Sequence, residues 1–280
     1  MNNNPYLITK RSGEQEAFSE EKFRHSLLRA GASPDLIEII LAQTLKIKPK
    51  TTKDLYRQAM LLLHKFNKPV AARYNLKQAL LQLGPAGFPF ENFVAEIFKL
   101  KGFKTETDAT LQGYCVTHEI DVLAHKNNNR HFIECKFHNS LILKTDVKVT
   151  LYVKARFEDI KSASPGERLE LDQQWIVTNT SFTSQAISYA TCVGMNLMGW
   201  SYPYNHGLAQ TIDHFGLHPI TALTSLSRKQ KNTLIQKGLV LCNQASIKKS
   251  ILHDSGFSNE LIEDIISEAE QVCKIGAIKI

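Results

Sequence analysis

The chain has 280 residues, 43% of them apolar and 22% charged, with a formal net charge of +7. That length suits about two domains of roughly 100–200 residues each, in the composition range of an ordinary soluble globular protein. No apolar run approaches the roughly 20 residues that cross a bilayer, which excludes a membrane-spanning helix. Met1-Asn2-Asn3-Asn4-Pro5 has neither the basic nor the apolar segment of a secretion signal. The five cysteines are scattered without a CxxC pair, so reduced thiols and a cytoplasmic location are expected. The positive charge favours a polyanionic partner, modestly.

Residues 6–18 read as a β-hairpin turning at Ser12-Gly13. Ser19 caps a helix with Glu20 and Glu21 in its first turn, and Gly31 stops it. Ser33-Pro34 starts a second helix, Thr52 is expected to cap a third, and a fourth is predicted from about 69 to 83. Gly84-Pro85-Ala86-Gly87 breaks the pattern and marks a domain boundary. A helix over 90–101 then leads into short strands at 103–107, 119–125 and 130–137. A helix over 146–160, a strand over 171–178, a helix over 184–193 and a strand over 196–200 follow. The order α-β-β-β-α-β-α-β predicts an α/β fold, a mixed sheet with helices on both faces. From about Tyr204 the pattern is helical again, and Ser258 caps the last helix.

The chemistry concentrates in the middle. Glu119-Ile120-Asp121 lies on one predicted strand and Glu134-Cys135-Lys136 on the next, joined by the turn-forming Asn127-Asn128-Asn129. Residues two apart on a strand share a face, so Glu134 and Lys136 stand together, with Ile133, Cys135 and Phe137 turned away. Asp121 and Glu134 supply hard oxygen donors for a divalent cation, and Lys136 supplies a cation to orient water or stabilise charge. An isolated acid-x-Lys pair is more often an exposed ion pair than a site; the neighbouring Asp121 changes the balance. His118, His125, His131 and His138 match no zinc spacing and read as hydrogen-bonded or surface histidines. Lys148, Tyr152 and Arg156 recur every four residues on one helix face, which suits either phosphate contact or plain solvation.

Residues 85–202, carrying Phe90-Glu91, Asp121, Glu134-Cys135-Lys136 and Trp175-Ile176-Val177-Thr178-Asn179, resemble the Mrr-like branch of the PD-(D/E)xK restriction endonucleases. The resemblance implies a Mg²⁺- or Mn²⁺-dependent DNA endonuclease leaving 5′-phosphate, acting in restriction or DNA defence. It places catalytic roles on Asp121, Glu134 and Lys136, with Glu91 as a third carboxylate in preference to Glu96. Many Mrr-like members carry Gln in the first position of the acid-x-Lys pair, where this chain has Glu134.

Residues 6–83 resemble the ATP-cone, a regulatory nucleotide-binding domain, through Ile8-Thr9-Lys10-Arg11-Ser12-Gly13, Phe18-Ser19-Glu20-Glu21-Lys22 and Val70-Ala71-Ala72-Arg73-Tyr74. This implies ATP or dATP as an effector, with Lys10, Arg11 and Lys22 on phosphate and Glu16 and Thr52 beside the base or ribose. Tyr56 stands where a histidine is common. No P-loop is present, so an ATP-driven motor is not indicated. Residues 220–275 resemble a helix-hairpin-helix segment, basic through Arg228, Lys229, Lys231, Lys237, Lys248 and Lys249; DNA contact and simple packing both suit it. The expected organisation is an ATP-cone over 1–84, a nuclease domain over 85–203 and a helical region over 204–280. A homo-oligomer fits cleavage of both strands. The rival readings are a catalytically silent, nucleotide-switched DNA-binding regulator and a nucleotide-binding interaction module.

Overall fold

A computed structural model describes residues 6–10, 12–84, 88–127, 129–163 and 171–274. The chain opens with a hairpin of β1 (Leu7–Thr9) and β2 (Gln15–Ala17), Leu7 facing Ala17. Five helices follow: α1 (Glu20–Arg29), α2 (Pro34–Ile47), α3 (Thr52–Phe66), α4 (Lys68–Tyr74) and α5 (Leu76–Leu81). Ser19 and Ser33 cap α1 and α2 as the sequence predicts. The cap of α3 is Thr51, whose hydroxyl accepts from the Asp54 N–H; Thr52 is its first helical residue. The predicted fourth helix is two, because the chain turns at Asn75. Phe23, Leu27, Ile40, Leu41, Ala59, Leu63 and Val70 close the N-terminal core, while Leu76 and Leu80 of α5 enter the core of the central layer instead.

The central layer runs α6 (Phe88–Leu100), β3 (Lys104–Gln112), β4 (Thr117–Lys126), β5 (Asn129–Lys136), β6 (Lys144–Thr145), α7 (Val147–Ala163), β7 (Leu171–Thr178), β8 (Ser181–Phe182), α8 (Ser184–Cys192) and β9 (Asn196–Met198). The main sheet has the order β3-β4-β5-β7-β9, antiparallel among the first three and parallel from β5 to β9. This is the predicted mixed sheet, with a two-residue parallel pair, β6 and β8, added beside it. Strands buried on both faces read as apolar runs, as Trp175-Ile176-Val177 does. Phe90, Phe93, Val94 and Ile97 of α6 cover one face over Val122, Ala124, Ile133 and Val177. Val153, Phe157 and Ile160 of α7, with Ala186 and Ala190 of α8, cover the other over Ile120, Phe132, Ile176 and Leu197. Gly84 approaches the Phe137 ring so closely that a Cβ there would lie 2.1 Å from it, which leaves room for glycine alone.

The C-terminal region comprises α9 (Leu208–Phe215), a 3-10 turn at Ile220–Ala222, α10 (Arg228–Gln236), α11 (Gln244–Ile247), α12 (Lys249–Asp254) and α13 (Asn259–Lys274). Ser258 caps α13 through the Leu261 N–H, as predicted. Ile220, Leu234, Leu239, Ile262, Ile265 and Val272 form its core together with Ala72 of α4 and Ala79 of α5. Arg73 of α4 is the polar counterpart of that contact. Its side chain is 5% exposed; it donates to the Ala30 carbonyl at 3.2 Å, the Val272 carbonyl at 3.2 Å and Asp213 Oδ1 at 3.1 Å.

Candidate active site

The site lies where two neighbouring strands part. The β4–β5 ladder ends at Val122↔Ile133, and the preceding part of β4 pairs only with β3. Ile120 and Val122 are two residues apart yet face opposite layers, so the pleat is reset at Asp121. On β3 the ladder passes from Thr107↔Val122 to Ala109↔Ile120 without pairing Asp108 to Asp121, and Asp108 has φ of 56°. A non-glycine residue in the left-handed region costs of order 1–3 kcal/mol and is concentrated at functional sites. β5 keeps its alternation: Ile133, Cys135 and Phe137 join the α6 layer, Glu134 turns to Arg156 of α7, and Lys136, two residues on, shares the Glu134 face by that alternation.

Each central carboxylate is anchored through one oxygen. Asp121 Oδ2 accepts the Cys135 N–H at 2.6 Å, which bridges the parting strands. Glu134 Oε2 accepts Nη1 of Arg156 at 2.5 Å, and Nη2 of the same guanidinium donates to the Glu119 carbonyl. Arg156 lies between the rings of Phe132 and Tyr152, 5.2 and 5.1 Å from their centres. Its side chain is 10% exposed and that of Glu134 15%. The reading of Lys148, Tyr152 and Arg156 as one solvated or phosphate-binding face therefore needs correction. Lys148 and Tyr152 are exposed, but Arg156 is buried beside the core residues Val153 and Phe157. Lys136 is exposed, and its charge acts on Glu134.

The electrostatics show how crowded the negative charge is. Burial and then Asp121 push the Glu134 carboxyl up to about 6, against the pull of Arg156 and Lys136. Burial likewise raises Asp121, with the Cys135 N–H and Arg156 opposing it. Glu91, half-buried in the first turn of α6, is pushed up to about 7 by burial and by Asp121, Asp108, Glu119 and Glu134. The competing Glu96 pairs with Lys99 at 2.7 Å. Asp108 and Glu119 thus belong to the same field and were assigned no role from sequence; the unpaired, left-handed Asp108 has no linear signature.

Among the described residues, no three His, Cys, Asp or Glu side chains come together closely enough to hold an ion. The fit is to a cation that takes few protein ligands. Mg²⁺ keeps most of its waters and needs one or two carboxylates plus substrate phosphate, and Asp121 and Glu134 are hard oxygen donors of that kind. Crowded carboxylates also predict a pH effect. Between about pH 4.5 and 7 Glu91 and Glu134 hold protons in the folded chain that they release on unfolding, so the stability these two groups contribute declines as pH rises through that window, while His131, His138 and His218, whose pKa burial lowers, act in the opposite direction. Glu91→Gln removes one of these carboxyls. It is expected to raise the Tm of the metal-free chain at about pH 8 and to flatten the decline from about pH 5, as read by thermal melting.

The other predicted residues divide. Lys10 Nζ meets Glu16 at 3.0 Å and Glu14 at 3.1 Å, and Lys22 Nζ meets Glu16 at 3.5 Å, so three nucleotide candidates converge. The Thr9 N–H donates to the Lys50 carbonyl, which brings β1 to the start of α3 and so to Thr52. Arg11 lies outside the described residues. His118 Nε2 donates to Asp159 Oδ2 at 2.7 Å and His138 meets Thr145 at 3.0 Å, in keeping with hydrogen-bonded histidines, whereas His131 is buried against Phe103 and Trp175 with its Nδ1 unpartnered among the described residues. In the C-terminal region, Lys237 donates to the Asp254 carbonyl and Lys248 to the Gly238 carbonyl, while burial lowers the Lys231 pKa. Half of the basic residues noted there have internal roles.

A sheet of this order, flanked on both faces and carrying Asp121, Glu134 and Lys136 at a strand fork, is a restriction-endonuclease-like core. The Mrr catalytic family model, described as Restriction endonuclease, matches residues 85–199, and a second, described as AF1548-like, C-terminal, matches residues 218–273. An uncharacterised protein of Archaeoglobus fulgidus is 38% identical over 180 residues, 64% of this chain and 99% of that relative. A crystal structure of a protein of unknown function, AF1548, is 36% identical and superposes with a TM-score of 0.56, covering 68% of this chain and 99% of that one. The chain belongs to one family with these two relatives, and the match over residues 85–199 supports a restriction-endonuclease-like middle domain and suggests nuclease-type function. No helix among the described residues is long and apolar enough to cross a membrane.

Proposed function

We propose that the chain is a Mg²⁺- or Mn²⁺-dependent DNA endonuclease that hydrolyses phosphodiester bonds in restriction or DNA defence. The carrying observation is the meeting of Asp121, Glu134 and Lys136 at the β4–β5 fork inside the matched domain. A bound divalent cation would polarise the scissile phosphate and lower the pKa of a water. Asp121 and Glu134 would hold it through the oxygens left free by Cys135 and Arg156. Lys136, exposed on the Glu134 face, would place its ammonium beside the phosphate and stabilise the charge that develops there. Glu91, which does not close with Asp121 and Glu134 into an ion-holding trio, would act from the rim of the site as the third carboxylate, holding a proton near neutral pH. Conversion of supercoiled plasmid to nicked and linear forms, with each metal and with EDTA, tests the reading.

The proposal extends to three working parts: a nucleotide-sensing ATP-cone over 1–84, the nuclease over 85–203 and a helical region over 204–280. The enzyme would work in the cytoplasm as a homo-oligomer. ATP or dATP bound near Lys10, Arg11, Lys22, Glu16 and Thr52 would displace Glu16 from the two lysines and shift a conformational or oligomeric equilibrium. Lys10→Ala is expected to weaken ATP and dATP binding roughly tenfold or more, the scale of one charge-assisted hydrogen bond, without changing metal binding. Calorimetry giving wild-type nucleotide affinity would remove the pocket. The pairing of Glu134 with Arg156 is also what a catalytically silent, nucleotide-switched DNA-binding regulator would show. DNA binding with no cleavage under any divalent metal would decide for that reading.

A further inference from the structure

We infer that Arg156 is a positioning residue that restricts Glu134 to offering a single oxygen, and thereby sets the site's preference for small divalent cations over Ca²⁺. The inference rests on the nuclease reading of the same carboxylates. A carboxylate can bind a cation through one oxygen or both, and Ca²⁺, which takes six to eight oxygens in flexible geometry, profits most from the two-oxygen mode. Here both carboxylates have one oxygen committed within the fold, Asp121 Oδ2 to the Cys135 N–H and Glu134 Oε2 to Arg156. The first commitment is to a backbone N–H and depends on no side chain besides Asp121 itself. The second is made by one guanidinium, so the choice of mode at Glu134 depends on Arg156.

The surroundings hold that guanidinium in place. It is buried, it lies between Phe132 and Tyr152, and its two terminal nitrogens reach different partners, Glu134 on β5 and the Glu119 carbonyl on β4. Arg156 therefore spans the fork from the α7 side, while the Asp121–Cys135 bond spans it within the sheet. Only a planar fork of donors can make both bonds in a fixed geometry; a lysine ammonium carries the same charge on a flexible stem. Removing a group that holds a metal-binding side chain from behind typically costs 10–100-fold in metal affinity.

The test is calorimetric titration of the full-length wild type, Arg156→Gln and Arg156→Lys with Mn²⁺ and with Ca²⁺, alongside melting curves in EDTA. Wild type is expected to bind Mn²⁺ more tightly than Ca²⁺. Both variants are expected to narrow that ratio by roughly tenfold, losing Mn²⁺ affinity as Glu134 loosens while Ca²⁺ gains its second oxygen. Folded variants that keep the wild-type ratio would overturn the inference while leaving the nuclease reading intact. A shift in Arg156→Gln with a wild-type ratio in Arg156→Lys would also overturn it, since charge alone would then account for the effect. Should Arg156→Gln fail to fold, Arg156→Lys decides on its own. Wild type that binds neither ion and never nicks plasmid would remove the nuclease reading and the inference together.

Discussion

Glu134→Ala and Lys136→Ala are each expected to slow Mg²⁺-dependent nicking of supercoiled plasmid by roughly 100- to 1,000-fold, the loss seen when one preorganised group is taken from a site that stabilises developing charge. The two should fail differently. Lys136 is exposed, so its removal should leave folding and ion binding intact and depress the rate at saturating metal. Glu134→Ala should weaken ion binding as well. It also strands a buried guanidinium, because Arg156 loses its carboxylate, so a lower Tm is expected for that variant. Glu134→Gln separates the effects, since it keeps the shape and an acceptor for Arg156 while removing the charge. Nicking at the wild-type rate by both alanine variants would remove Glu134 and Lys136 from the catalytic assignment.

The largest effect on stability is expected at Arg73, far from the strand fork. Arg73→Ala removes three hydrogen bonds to three parts of the chain: the end of α1, α9 and the end of α13. Removing one partner of a buried ion pair costs about 3–5 kcal/mol. Asp213 is 35% exposed and can recover some hydration, which places the expected loss near the lower end, about 3 kcal/mol. At about 2–4 °C per kcal/mol for a chain approaching this size, the Tm should fall by roughly 6–12 °C. Arg73→Met with Asp213→Leu should recover part of that, because an apolar pair of similar volume avoids the stranded charge. A Tm within about 2 °C of wild type for Arg73→Ala would show that the apolar core alone holds the regions together.

Much of the site is legible in the amino-acid sequence because β-strand alternation is an unforgiving rule. Glu134 and Lys136 are two apart, so one strand assignment fixes their common face. Asp121 follows once the Asn127–Asn129 turn folds its strand back. Arg156 is harder: spacing of four shows that Lys148, Tyr152 and Arg156 share a side of α7, but a helix winds, and eight residues on the same row has moved from rim to core. Only its position beside Val153 and Phe157 hints at burial. Asp108 is hidden for another reason. The predicted strand at 103–107 stops one residue short of it, the observed strand runs on to Gln112, and nothing in Thr107-Asp108-Ala109 announces a left-handed backbone. The break at Asn75 is missed because Pro69 to Leu83 carries one continuous helical apolar pattern; Asn75, a weak helix former that favours caps and turns, is the local hint. β6 and β8 are too short to carry a period at all.

The placement of α5 has a practical corollary for anyone dividing this protein. Leu76, Leu80 and Leu83 precede the matched nuclease segment in the sequence yet fill its interior against Phe90 and Phe93. A fragment cut at residue 85 would open a greasy trench over those phenylalanines and lose the seat of the C-terminal helices on Ala72 and Ala79. Such a fragment should clump when expressed, whereas one beginning before α4 would take its own lining with it.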